Sequence, residues 1–73
     1  MPPRPQVPRY LQVADDLRMR VERGDFERGV ALPSAAEFGR QYNVSQRTAH
    51  RAVRVLVDDG LLVVSPNYGT FLA

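Results

Sequence analysis

Two serines constrain how this chain can fold. Ser34 stands directly before the helix-forming run Ala35 to Tyr42, and Ser45 directly before a second run that starts at Gln46 and continues past Leu56. Only Asn43 and Val44 separate the end of one run from the cap of the next. A serine so placed accepts a hydrogen bond from a first-turn amide and fixes where the helix begins, a gain of about 1 kcal/mol. Glu37, three residues after Ser34, completes the spacing of a capping box, in which its carboxylate reaches back to the Ser34 amide. Asn43 tolerates positive φ and so turns the chain steeply in very little length. Two capped helices joined this tightly read as a helix-turn-helix.

The flanking residues extend the pattern. Tyr10, Val13, Ala14, Leu17 and Val21 share one helical stripe, which predicts a first helix from Tyr10 to Arg23 with Gly24 as the left-handed residue past its end. In the third helix Ala49, Ala52, Val53 and Leu56 define a buried stripe, while Arg47, His50, Arg51 and Arg54 repeat the same spacing on another side. Asp58 and Asp59 precede the turn at Gly60, where acidic groups oppose the helix dipole. Leu61 to Val64 and Thr70 to Ala73 are β-prone runs around Ser65-Pro66-Asn67-Tyr68-Gly69, a hairpin pattern. Three helices followed by a hairpin give a mainly α fold with a small β-hairpin, a winged helix-turn-helix spanning residues 9–73. Residues 1–8, with four of the six prolines, read as a flexible proline-rich arm. Tyr10, Phe26, Phe38, Tyr42, Leu56 and Phe71 are the expected large core residues.

Charge is sorted along the chain. From Arg40 to Arg54 there are four arginines, one histidine and no carboxylate, whereas five of the eight carboxylates (Asp15, Asp16, Glu22, Asp25 and Glu27) lie on or just after the first helix. The third helix is thus a cationic ridge and the first a mixed-charge surface. At 73 residues the chain has little material for the walls of a catalytic cleft. It offers no nucleophile and base pair, no phosphate loop and no cysteine, and its lone histidine has no neighbouring ligands. An enzyme, a metal site and a cofactor site are therefore not expected. No apolar run approaches the ~20 residues that span a bilayer. RNA binding is disfavoured for want of an exposed aromatic platform.

In order and spacing, Tyr10-Leu11-Gln12-Val13-Ala14-Asp15-Asp16-Leu17, Gly24, Leu32-Pro33-Ser34, Tyr42-Asn43-Val44-Ser45, Arg51-Ala52, Asp59-Gly60-Leu61 and Gly69-Thr70-Phe71 resemble the DNA-binding domain of the GntR family of bacterial transcriptional regulators. The resemblance implies a winged helix whose second-helix start, third-helix start and wing tip approach DNA. Where the family usually carries three contact arginines, this chain has Ala36, Gln46 and His50, and its wing lacks the usual basic residue before Gly-Thr-Phe. The resemblance also implies a repressor. Family members generally carry a C-terminal effector-sensing and dimerising domain, so this chain is either the DNA-binding domain of a longer regulator or a small protein that works without an effector domain. A small-molecule effector is expected only if such a domain exists outside this chain.

The expected partner is a palindromic duplex operator, bound by a homodimer, in the cytoplasm at the nucleoid. Gln46, Arg47, His50 and Arg51 suit base edges in the major groove, and Arg54 suits a phosphate. Ser34, Ser45 and Thr48 lie in first turns, where free amides attract phosphate. Asn67, Tyr68 and Gly69 form the wing tip. The alternative is a protein-interaction module without direct DNA readout, whose binding would barely respond to salt.

Overall fold

A computed structural model of the chain describes residues 7–73. The order is α1 (Arg9–Glu22), α2 (Ala35–Tyr42), α3 (Gln46–Asp58), β1 (Leu62–Ser65) and β2 (Gly69–Leu72), with the strands antiparallel: a winged helix. The expected arm lies outside the described residues for positions 1–6, while Val7 and Pro8 are fastened to α1. The Val7 carbonyl accepts from Gln12 Nε2 at 2.9 Å, and the Pro8 carbonyl accepts from the Leu11 and Gln12 amides at 3.0 and 3.2 Å. These bonds close the first turn over Pro8, so α1 starts and ends one residue earlier than its apolar stripe suggests.

All three helices end alike, in a left-handed residue followed by an amide that reaches back over the last turn. Gly24, Asn43 and Gly60 have φ of 85°, 55° and 80°. The amides of Asp25, Val44 and Leu61 donate to the carbonyls of Arg20, Gly39 and Leu56 at 3.0, 2.9 and 2.9 Å. This arrangement satisfies carbonyls that a helix end otherwise leaves unpaired. It also places Leu61 in the turn, so β1 begins at Leu62 rather than Leu61.

The core is one cluster. Val13, Ala14 and Leu17 of α1, Phe38 of α2, Ala49, Ala52 and Leu56 of α3, Leu32 before α2 and Leu62 of β1 are all buried. Each large member contributes about 1.5–3 kcal/mol by leaving water. α3 packs against both α1 and α2, with its two alanines on the buried side. Phe26 is half-buried and meets the Phe38 ring edge-on, centroids 6.2 Å apart. The Leu32 amide donates to the Thr70 carbonyl at 2.8 Å, seating the α1–α2 connection beside the wing.

Three expectations need correction. Phe71 is not core: it pairs across the strands with exposed Val63, whereas Leu72, opposite buried Leu62, packs on the core. Cross-strand partners share a face, so a shift of one residue decides which is inward. Tyr10 is also only half-buried. The capping box is half made: Ser34 Oγ accepts from the Glu37 amide at 3.2 Å, but the Glu37 carboxylate is paired with Arg40 instead of the Ser34 amide. The aspartates ending α3 are relieved by cations, Asp59 by Arg18 of α1 and Asp58 by Arg54 at 3.9 Å.

Candidate nucleic-acid interface

The exposed side of α3 follows from its buried side. At about 100° per residue, Arg47 and Arg54 fall roughly opposite the Ala49–Ala52–Leu56 stripe, with His50 and Arg51 to either side of them. Gln46, Arg47, His50, Arg51 and Arg54 are all exposed. The helix begins at Ser45, whose Oγ accepts from the Thr48 amide at 3.0 Å and donates to Thr48 Oγ1 at 2.9 Å. Both hydroxyls are thus part of the cap, and Thr48 is half-buried.

Most arginines outside this surface are engaged within the chain. Arg9 donates to the Tyr42 carbonyl at 3.1 Å and to Gln12 Oε1 at 3.0 Å, and Arg28 donates to the Ala73 carbonyl at 3.1 Å. Arg18 pairs with Asp15 and Asp59, and Arg40 with Glu37. Arg20 pairs with Asp25 at 3.5 Å and lies over the Phe26 ring, 4.9 Å from its centroid. Arg23 Nε and Nη2 fork onto Asp25 Oδ2 at 2.9 and 2.8 Å, which raises the Arg23 pKa and holds the Asp25 carboxyl below the usual carboxylate range.

The α3 cations differ. Among the described residues, Arg47 is the arginine with no hydrogen bond, ion pair or stacked ring, and His50 beside it also lacks a side-chain partner. Arg54 has only its 3.9 Å pairing with Asp58. The Arg51 guanidinium lies over the Tyr10 ring, 4.0 Å from its centroid. That contact was not legible in the sequence, where Tyr10 counts as one more apolar position on α1.

The other expected contacts occupy separate elements. Ser34 is exposed and Ala36 half-buried at the start of α2. At the wing tip Pro66 and Asn67 fill the middle of a turn closed by the Tyr68 amide on the Ser65 carbonyl at 3.1 Å. Asn67, at the third position, has a φ of 70°, the left-handed value that a type II turn requires and that asparagine tolerates. Tyr68 is 77% exposed and Gly69 begins β2. Among the described residues there is no enclosed cavity and no grouping of carboxylates and histidine able to hold a metal ion. Among the described residues no helix is long and apolar enough to cross a membrane.

The family model described as bacterial regulatory proteins, gntR family, matches residues 9–72. The chain is 31% identical over 67 residues to the HTH-type transcriptional repressor NagR of Bacillus subtilis (strain 168), covering 92% of this chain and 28% of that protein. It is 36% identical over 67 residues to the histidine utilization repressor of Klebsiella aerogenes, with the same 92% and 28% coverage. Among solved structures, the AraR DNA-binding domain in complex with operator ORR3 superposes with a TM-score of 0.86 at 29% identity, covering 100% of this chain and 88% of that one. The chain therefore spans little more than a quarter of the length of these two relatives.

Proposed function

The chain belongs to the gntR family of bacterial regulatory proteins, and we propose that it docks the exposed side of α3 into the major groove of a duplex operator and represses transcription there. It is a winged helix-turn-helix DNA-binding domain of a transcriptional regulator, not an enzyme. The observation that carries the proposal is the sorting of cations: among the described residues, arginines outside α3 are tied up within the chain, while Arg47 and His50 stand unpaired on the helix that opens at Ser45. Gln46, Arg47 and His50 lie nearest the N-terminal end of α3, from which a recognition helix reads base edges. Ser34, Ala36, Ser45 and Thr48 bring two helix N-termini, with their outward amides, to flanking phosphates. Arg54 meets a phosphate, and Asn67, Tyr68 and Gly69 meet the rim of the adjacent minor groove.

The action at an operator is supported by the repressor function of NagR and the histidine utilization repressor and by the operator complex of AraR. A single domain of this size grips one half-site, so tight binding calls for a twofold homodimer on a palindrome with half-sites about one helical turn apart. A small-molecule effector would act only through a C-terminal domain outside this chain, and we place the working location in the cytoplasm at the nucleoid. Selection of duplexes from a random pool by the purified chain tests the reading. A recovered consensus whose affinity falls steeply with ionic strength is the expected result. Binding that ignores sequence, or no binding at low salt, would overturn it.

A further inference from the structure

The cations of α3 are not equivalent. Arg47 is unanchored, whereas the Arg51 guanidinium is stacked on Tyr10 while Arg51 remains exposed. Stacking uses the flat face of a guanidinium and leaves the N–H donors around its edge free. Among the described residues no hydrogen bond or ion pair engages those donors. Tyr10 is in turn well placed to hold still. Its neighbour Arg9 is bonded to the Tyr42 carbonyl at the end of α2, and the Pro8 carbonyl closes the turn in which Tyr10 lies. The first turn of α1 thus grips both helices of the helix-turn-helix, α2 through Arg9 and α3 through Tyr10.

The direction of Arg51 follows from the same geometry. On the helical wheel it lies about 40° from Arg47, and the Tyr10 contact places it on the side of α3 that faces α1. A helix seated in a groove points its central residues at the floor and its lateral residues at the walls, which are lined with phosphate. We propose that Arg51 is a phosphate clamp on the α1 side of the duplex, with Tyr10 its positioning residue, rather than a reader of bases. This rests on the DNA-docking reading above and adds a division of labour to it: Arg47 and His50 carry sequence preference, and the Tyr10–Arg51 pair carries sequence-independent grip.

The test measures affinity of the wild-type chain, Arg51→Ala, Arg51→Lys, Tyr10→Phe, Tyr10→Leu and Tyr10→Leu/Arg51→Ala. The probes are a duplex recovered from the random pool and a scrambled duplex, each over a range of salt. Arg51→Ala is expected to weaken both by the same factor, about tenfold, and to reduce the salt slope by about 0.9. Tyr10→Leu keeps an apolar side chain but removes the stack, and is expected to lose about 2- to 5-fold on both duplexes. Tyr10→Phe keeps the ring and should match wild type. Arg51→Lys should fall between wild type and Arg51→Ala. The double variant should be no weaker than Arg51→Ala alone, because Tyr10 acts through Arg51.

A change in preference between the two duplexes on Arg51→Ala would make it a base reader and overturn the clamp. Loss of affinity in Tyr10→Phe, or an undiminished Tyr10→Leu effect in the Arg51→Ala background, would mean that Tyr10 acts by itself. Arg51 is exposed, and no hydrogen bond or ion pair engages it among the described residues, so Arg51→Ala reports on DNA even if a Tyr10 variant folds poorly. If the wild-type chain ignores duplexes, the docking reading fails. If it binds and Arg51→Ala behaves as wild type, only the clamp fails.

Discussion

The carbonyl oxygen of Val44 stands 2.8 Å from the point that a β-carbon on Gly39 would occupy. The Val44 amide also donates to the Gly39 carbonyl at 2.9 Å, so the turn between α2 and α3 folds directly onto this glycine. Any side chain at position 39 would press its β-carbon against the Val44 backbone in the joint between the two helices. Gly39→Ala should gain about 1 kcal/mol of helix propensity and lose about 1–3 kcal/mol to overpacking. The expected outcome is a net loss, read as a lower urea midpoint. An unchanged or higher midpoint would show that the joint yields freely.

Asn43 sets the same joint from its other side. Its φ of 55° and ψ of 47° are left-handed, a conformation that costs most side chains about 1–2 kcal/mol. Asn43→Ala should therefore destabilise the chain by about 1 kcal/mol, whereas Asn43→Gly should be close to neutral. Equal denaturation midpoints for the two variants would contradict this account.

The joint explains what the sequence revealed and what it hid. Ser34, Asn43, Ser45 and Gly60 act on bonds to near neighbours, so the helices they bound were legible to within a residue. Phe71 and Leu72 are adjacent, apolar and β-prone, and only the pairing register with Val63 and Leu62 decides which faces the core. The spacing of Glu37 fits two competing local patterns, a capping box with Ser34 and an ion pair with Arg40, and its carboxylate adopts the pair. The exposed cations of α3 were legible from period alone. The stack of Arg51 on Tyr10 was not, because it depends on where α1 crosses α3.

Tyr42 makes the stability of this arrangement pH-dependent. Its hydroxyl donates to Asp16 Oδ2 at 2.5 Å and accepts from Arg20 Nη1 at 3.1 Å. Burial, and then the bond to Asp16, raise the Tyr42 pKa above the ordinary phenol value. A raised folded pKa means that the folded chain holds the proton more tightly than the unfolded one. The stabilisation is fully present below the unfolded value of about 10 and is lost as pH rises through the folded value. Thermal midpoints should accordingly drop above about pH 10 in the wild type. Tyr42→Phe should begin lower at pH 7, by the equivalent of about 1 kcal/mol for the lost hydrogen bonds, and should show a smaller alkaline drop. An identical alkaline drop in the two proteins would assign the effect to another group.

Arg47 offers the cleanest separation of binding from folding. Because it makes no intramolecular side-chain bond among the described residues and is exposed, Arg47→Ala removes nothing that holds the fold together. Its thermal midpoint should stay within the change produced by an ordinary surface substitution, about 0.5 kcal/mol. A groove-facing arginine that forks onto a guanine edge supplies about 1–3 kcal/mol of discrimination, so affinity for the selected duplex should fall by about 5- to 150-fold. Affinity for a scrambled duplex should change much less. Arg23→Ala is the matched control: it also removes one positive charge, but one already forked onto Asp25 at the far end of α1. Its effect on duplex binding should be small. If the two variants weaken binding equally, net charge rather than the α3 surface governs association, and the groove-docking proposal fails with it.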